Sequence, residues 1–168
     1  MTQQKTTKPR VVTGKNAAAA GLVALIVAFV GGWEGLRTNA YLDPVGIPTI
    51  CYGYTHGVKL GQARTADECE GLLTQEVLVA IDGVNSCVRV PLSDGELAAY
   101  TSFVYNAGRG AFCGSTLVRK LNTGDRAGAC AQLSRWVNSR GRQLPGLVKR
   151  RAEERRMCEG GLAAGASP

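Results

Sequence analysis

Asn16 to Trp33 runs for eighteen positions without a charge, and Glu34 follows at once. A helix of that length is near the lower limit for crossing a bilayer. The run must enter either a membrane or the interior of a folded body, so it decides where the N-terminal part of the chain goes. Four positive side chains precede it, Lys5, Lys8, Arg10 and Lys15, with no acid among them. That asymmetry predicts a cytoplasmic N-terminus. Seven residues of the run are strongly apolar: Leu22, Val23, Leu25, Ile26, Val27, Phe29 and Val30. Together they favour insertion by only about 2–4 kcal/mol, and the surrounding Ala and Gly add little. The run therefore reads as a marginal span. A cleaved signal peptide, a permanent anchor, a buried core helix and an anchor that later leaves the membrane all remain open. Val30-Gly31-Gly32 is a poor signal cleavage site.

The rest of the 168 residues suffices for one domain with a real core. The net charge is +7, but removing the four N-terminal positives leaves +3. A nucleic-acid partner is not expected, and the tail reads as a topology signal. Six cysteines, Cys51, Cys69, Cys87, Cys113, Cys130 and Cys158, all lie outside the run. None has metal-ligand spacing and the only histidine is His56, so neither zinc nor any other metal is expected. An even count beside an export signal reads as disulfides formed in an oxidising compartment.

The pattern after the run predicts an α+β fold, mainly α, with a small β lobe near its start. Gly35 to about Ala40 is expected to extend a helix from Trp33. Residues 41–60 mix Pro and Gly with Tyr, Ile, Val and Thr, and read as short strands and turns. Thr65-Ala-Asp-Glu68 and Ser93-Asp-Gly-Glu96 are capping boxes. They open helices running to about Val84 and to Asn106-Ala-Gly108. Shorter helices are expected near 115–122 and 125–138, and a last one over 144–159. The basic side chains of that last helix, Lys149, Arg150, Arg151, Arg155 and Arg156, read as a solvated face with internal Glu pairs. His56 reads as a turn residue, and Trp136 as core rather than a sugar platform.

Glu34, Asp43 and Thr49 lie nine and six positions apart in a stretch with little other charge. Glycosidic cleavage needs a protonated acid at the leaving oxygen and a second group that directs water. Glu34, between Trp33 and Gly35-Leu36, is expected against an apolar wall that keeps it protonated. Asp43 precedes Pro44 in a wetter turn and is expected to be ionised, and the Thr49 hydroxyl can hold a water. Two carboxyls at this spacing are on their own a weak signal.

Glu34-x8-Asp43-x5-Thr49 also resembles the catalytic triad spacing of the T-even-type phage lysozymes, glycoside hydrolase family 24. Thr49-Ile-Cys-Tyr-Gly53, Ser102-Phe-Val-Tyr-Asn-Ala-Gly108, Phe112-x2-Ser-Thr-Leu and Gly146-Leu-x2-Arg-Arg-x2-Glu-Arg are similar to that family in the same order. The likeness spans about residues 33–160. It implies a muramidase without cofactor that hydrolyses the β-1,4 bond between N-acetylmuramic acid and N-acetylglucosamine. Glu34 would be the general acid, with Asp43 and Thr49 positioning the water. Tyr105, Ser115, Thr116 and Gln132 match cleft-lining, substrate-binding positions. Tyr54 departs from the family, which usually has His there.

The basic tail and weak span further resemble signal-arrest-release endolysins. The division implied is a cytoplasmic tail at 1–15, a releasable segment at 16–33 and a catalytic domain at 34–168. The expected partners are peptidoglycan glycan strands, the host secretion machinery and, through residues 16–33, the host inner membrane. The enzyme would face the periplasm while anchored and become a soluble periplasmic monomer after release. Chain order and the resemblance favour Cys51–Cys69, Cys87–Cys113 and Cys130–Cys158 among fifteen possible pairings. With no cysteine in 16–33 and all six paired, thiol exchange could not drive activation. The competing reading is a membrane-anchored protein without activity that binds peptidoglycan or disrupts membranes.

Overall fold

The computed structural model describes residues 14–160, with side chains from residue 19 onward. The tail at 1–15 lies almost wholly outside them. The uncharged run forms one helix, α1 (Gly14–Glu34). Leu22, Val23, Ile26, Val27, Phe29 and Val30 make a stripe at helical spacing, and Ile26, Val27 and Val30 are buried in the main core. Gly21, Ala24, Leu25 and Ala28 face outward. Among the described residues no helix is long and apolar enough to cross a membrane.

The expected helical extension to Ala40 is not found. Gly35 takes the left-handed conformation (φ 71°) and donates its N–H to the Gly31 carbonyl, which ends the helix. The chain then enters β1 (Arg37–Leu42), antiparallel to β2 (Pro48–Cys51), with Tyr41 opposite Thr49 and Leu42 opposite Pro48. A third segment lies along β1 through the Asn39–Ala63 bridge. Ile50, Cys51 and Cys69 form the small core of this β lobe.

Both capping boxes are present. The Thr65 and Ser93 hydroxyls accept the N3 backbone N–H, and Glu68 and Glu96 reach back to the cap. They start α2 (Ala66–Asn85) and α3 (Asp94–Ala107). Residues 98–104 of α3 are buried without interruption, so this helix is the axis on which α1, α2 and α7 pack. α4 (Arg109–Cys113) was not legible in the pattern. α5 (Thr116–Asn122) and α6 (Arg126–Gln132) follow, and the helix expected to reach 138 ends in a single 3-10 turn, Leu133–Arg135. A two-stranded hairpin, β3 (Asn138–Ser139) and β4 (Arg142–Gln143), leads into α7 (Pro145–Gly160). Trp136 packs edge-on against Phe103 with ring centroids 5.1 Å apart, in keeping with a core role. His56 lies in a turn beside Tyr54.

The three disulfides are Cys51–Cys69, Cys87–Cys113 and Cys130–Cys158, as the resemblance implies. They tie β2 to α2, the end of α2 to α4, and α6 to α7. The last closes 28 residues of chain. Replacing both Cys130 and Cys158 by Ser is expected to cost about 3 kcal/mol. The check is a urea titration under non-reducing conditions, in which an unchanged midpoint would contradict this.

Candidate active site

Glu34 is the last residue of α1, so its side chain leaves the helix where the chain turns into the β lobe. It is 23% exposed and faces a guanidinium rather than the expected apolar wall: Arg150 Nη1 donates to Glu34 Oε1 at 2.7 Å. Arg150 lies on α7, 116 positions along the chain. The reading of the α7 basic residues as a solvated face fails for two of them, although the expected internal Glu pairs form. Arg150 and Arg151 are 4% and 1% exposed, and both pair with the fully buried Glu154. Arg155 follows the expected pattern, with a surface pair to Glu159. No sequence period announces a buried arginine whose counter-charge is over a hundred residues away.

Asp43 and Thr49 flank the turn between β1 and β2. Asp43 Oδ1 accepts from Val45 N–H at 2.9 Å and Ile47 N–H at 2.8 Å, so its own side chain shapes the turn. Its second oxygen has no protein donor among the described residues. The Thr49 hydroxyl is buried and donates to the Ile47 carbonyl at 2.9 Å, which leaves its lone pairs free to accept. This hairpin therefore holds one carboxylate oxygen and one hydroxyl acceptor on rigid backbone.

Tyr105, near the end of α3, bridges the two lobes by donating from its hydroxyl to the Tyr52 carbonyl at 2.9 Å. Burial, and then the charges of Glu34 and Glu76, push this hydroxyl well above the usual tyrosine range, so it stays a donor. The other proposed cleft residues stand apart. Ser115 is buried as the N-cap of α5, donating to the Phe112 carbonyl and accepting from Val118 N–H. Thr116 is exposed and accepts from Arg119 at 2.6 Å. Gln132 is half-buried at the end of α6. Among the described residues no hydrogen bond joins these three to Glu34, Asp43 or Thr49.

Residues 31–154, most of the chain, match the phage lysozyme family. The chain belongs to that family. It is 38% identical over 152 residues to the SAR-endolysin of Bacteriophage PS119, covering 88% of this chain and 91% of that protein. Among solved structures it resembles a P22 lysozyme variant at 32% identity and a TM-score of 0.74, covering 82% of this chain and 97% of that one. The active form of the P1 phage endolysin Lyz gives 26% identity and a TM-score of 0.73, covering 88% and 96%. The secreted inactive form of the same endolysin gives 0.56 at 22% identity, covering 86% and 97%. The chain is thus a phage endolysin of the lysozyme type, a glycosidase-class hydrolase.

The turn geometry makes a separable statement about Asp43. Asp43→Asn keeps an oxygen for both backbone donors and should fold with less than about 1 kcal/mol of loss, whereas Asp43→Ala leaves both unpaired and should cost about 1–3 kcal/mol. Thermal unfolding of the two variants checks this, and equal losses would contradict it.

Proposed function

We propose that this endolysin is a muramidase that cuts the β-1,4 bond between N-acetylmuramic acid and N-acetylglucosamine in host peptidoglycan. The observation that carries the reading is the Glu34 carboxyl, only partly exposed and in contact with the fixed cation Arg150. As Glu34 gives its proton to the leaving glycosidic oxygen, the charge it acquires develops directly against that guanidinium. Such preorganised stabilisation counts most where charge appears only during reaction. Water attacks the anomeric carbon from the other side. One of its hydrogens points to Thr49 Oγ1, and the other proton passes to the free oxygen of Asp43. The carbon–oxygen bond to the leaving sugar breaks, the bond to water forms, and configuration inverts. Tyr105 lines the substrate cleft by virtue of its position between the lobes. Ser115, Thr116 and Gln132 remain family-derived candidates for more distant contacts.

The second part of the proposal concerns α1. The positive N-terminal residues and the weak span support export through the host secretion machinery and a period in the inner membrane. The relatives named SAR-endolysin support release as the control step. The conformation described has α1 docked on the helical body, with Ile26, Val27 and Val30 in the main core. Because Glu34 is the final residue of α1, undocking that helix would take the acid away from Arg150. Inhibition and activation would then follow from where one helix sits, without any thiol chemistry. The released enzyme would act in the periplasm as a monomer.

Two experiments test these parts separately. Glu34→Gln removes the proton donor with little change in volume, and should abolish turbidity loss of permeabilised Gram-negative cells while the protein still folds. Lysis that persists would favour a membrane-disrupting protein. For the anchor, Gly21, Ala24 and Ala28 all face outward on docked α1, and a side chain at Gly21 would meet nothing within 4 Å. Replacing the three by Leu should leave docking possible while deepening insertion by about 1–2 kcal/mol or more. The variant is expected to stay membrane-bound after de-energisation and to lyse slowly. Parental partition and timing would show that release is not the control point.

A further inference from the structure

The buried group that the mechanism above does not use is Glu154, on α7 and fully enclosed. It sits at the centre of a small polar network inside an otherwise apolar core. Its Oε1 accepts from the Ser102 hydroxyl at 2.7 Å and from Arg150 Nε at 3.2 Å. Its Oε2 accepts from Arg151. Ser102, on α3, also takes Arg150 Nη2 at 3.2 Å on both its hydroxyl and its carbonyl. Arg150 is thereby held on one edge by Glu154 and on another by Ser102, and only Nη1 is directed at Glu34. All of these anchoring groups belong to α3 and α7, and none to α1.

We propose that Glu154 and Ser102 are positioning residues for Arg150, and that together they form a preset cationic receptor that captures the α1 carboxyl of Glu34. Among the described residues neither makes a hydrogen bond to Glu34 or to the hairpin that carries Asp43 and Thr49. Their effect on the reaction runs entirely through the guanidinium. A long arginine left untethered samples many rotamers, whereas a planar fork fixed at two edges presents the third in one geometry. Fixing it in advance removes the reorganisation that would otherwise accompany proton transfer from Glu34. The receptor does not depend on α1, so docking of that helix needs only to deliver the acid.

This inference rests on Glu34 being the acid, and the tests keep the two apart. Ser102→Ala removes the hydroxyl's bonds to Arg150 and Glu154, and leaves the residue-102 carbonyl and the Arg150–Glu154 pair in place. It should lower kcat on soluble peptidoglycan fragments about tenfold with KM unchanged, since a misplaced catalytic contact rather than a lost binding contact is involved. Glu154→Gln should also lose kcat, provided that it folds. In an Arg150→Met background, Ser102→Ala should have no further effect on kcat, as expected for two residues acting through one contact. A Ser102→Ala enzyme with parental kcat overturns the inference. So does an equal kcat loss in the Arg150→Met background, or a loss that only tracks melting temperature. If Glu34→Gln itself remains active, the assignment of the acid has failed instead.

Discussion

The hydrogen bond from Arg150 to Glu34 joins the end of the first helix to the first turns of the last, across 116 positions of sequence. Burying a guanidinium costs several kcal/mol unless its hydrogen bonds are met. Arg150 meets that cost with Glu34, Glu154 and the two oxygens of Ser102. The consequence for the fold is directional. Apolar packing along α1 can tolerate small rotations, whereas a charged hydrogen bond at its terminus cannot. The stripe of Ile26, Val27 and Val30 holds the helix down, and the hydrogen bond sets where it ends.

The β lobe is positioned from that same point. Gly35 halts α1 one residue past the acid, and β1 begins two residues later. A disulfide from Cys51 to Cys69 then ties the returning strand to α2, and Tyr105 binds the Tyr52 carbonyl from α3. The hairpin with Asp43 and Thr49 is therefore connected to the helical body at several places, all independent of substrate. The proposed mechanism divides its reacting groups between the two lobes and needs such connections, because small displacements between those groups are costly.

Much of this was legible beforehand, for identifiable reasons. Capping boxes are local, so Thr65 and Ser93 marked the starts of α2 and α3 correctly. The cysteine pairs follow from likeness and order, while Glu34, Asp43 and Thr49 stand as candidates on spacing and family likeness. The failures were of two kinds. Gly35 ends α1 where the pattern predicts helix to Ala40, because a glycine within a helical pattern does not reveal whether its φ is positive. The burial of Arg150 and Arg151 is not visible in the α7 pattern, which shows their pairs with Glu154 but not their further partners Glu34, Ser102 and Asn106 on distant elements. The apolar wall imagined around Glu34 failed with them. Its sequence neighbours are apolar, but its spatial neighbour is not.

The packing of α1 has a practical corollary for anyone cutting the gene. A polypeptide starting at Glu34 would omit not only the proposed membrane segment but also part of its own interior. Ile26, Val27 and Val30 fill space beside Leu73 and Val77 of α2 in one continuous core. Gly31 comes so close that an added Cβ would lie 3.1 Å from Leu73 Cδ2. Each buried side chain of this kind accounts for about 1.5–3 kcal/mol. The truncated product would expose a trench of apolar surface and leave Arg150 facing the free N-terminal end of the chain. Recombinant work on the enzyme is better served by softening the outward face of the helix than by removing the helix.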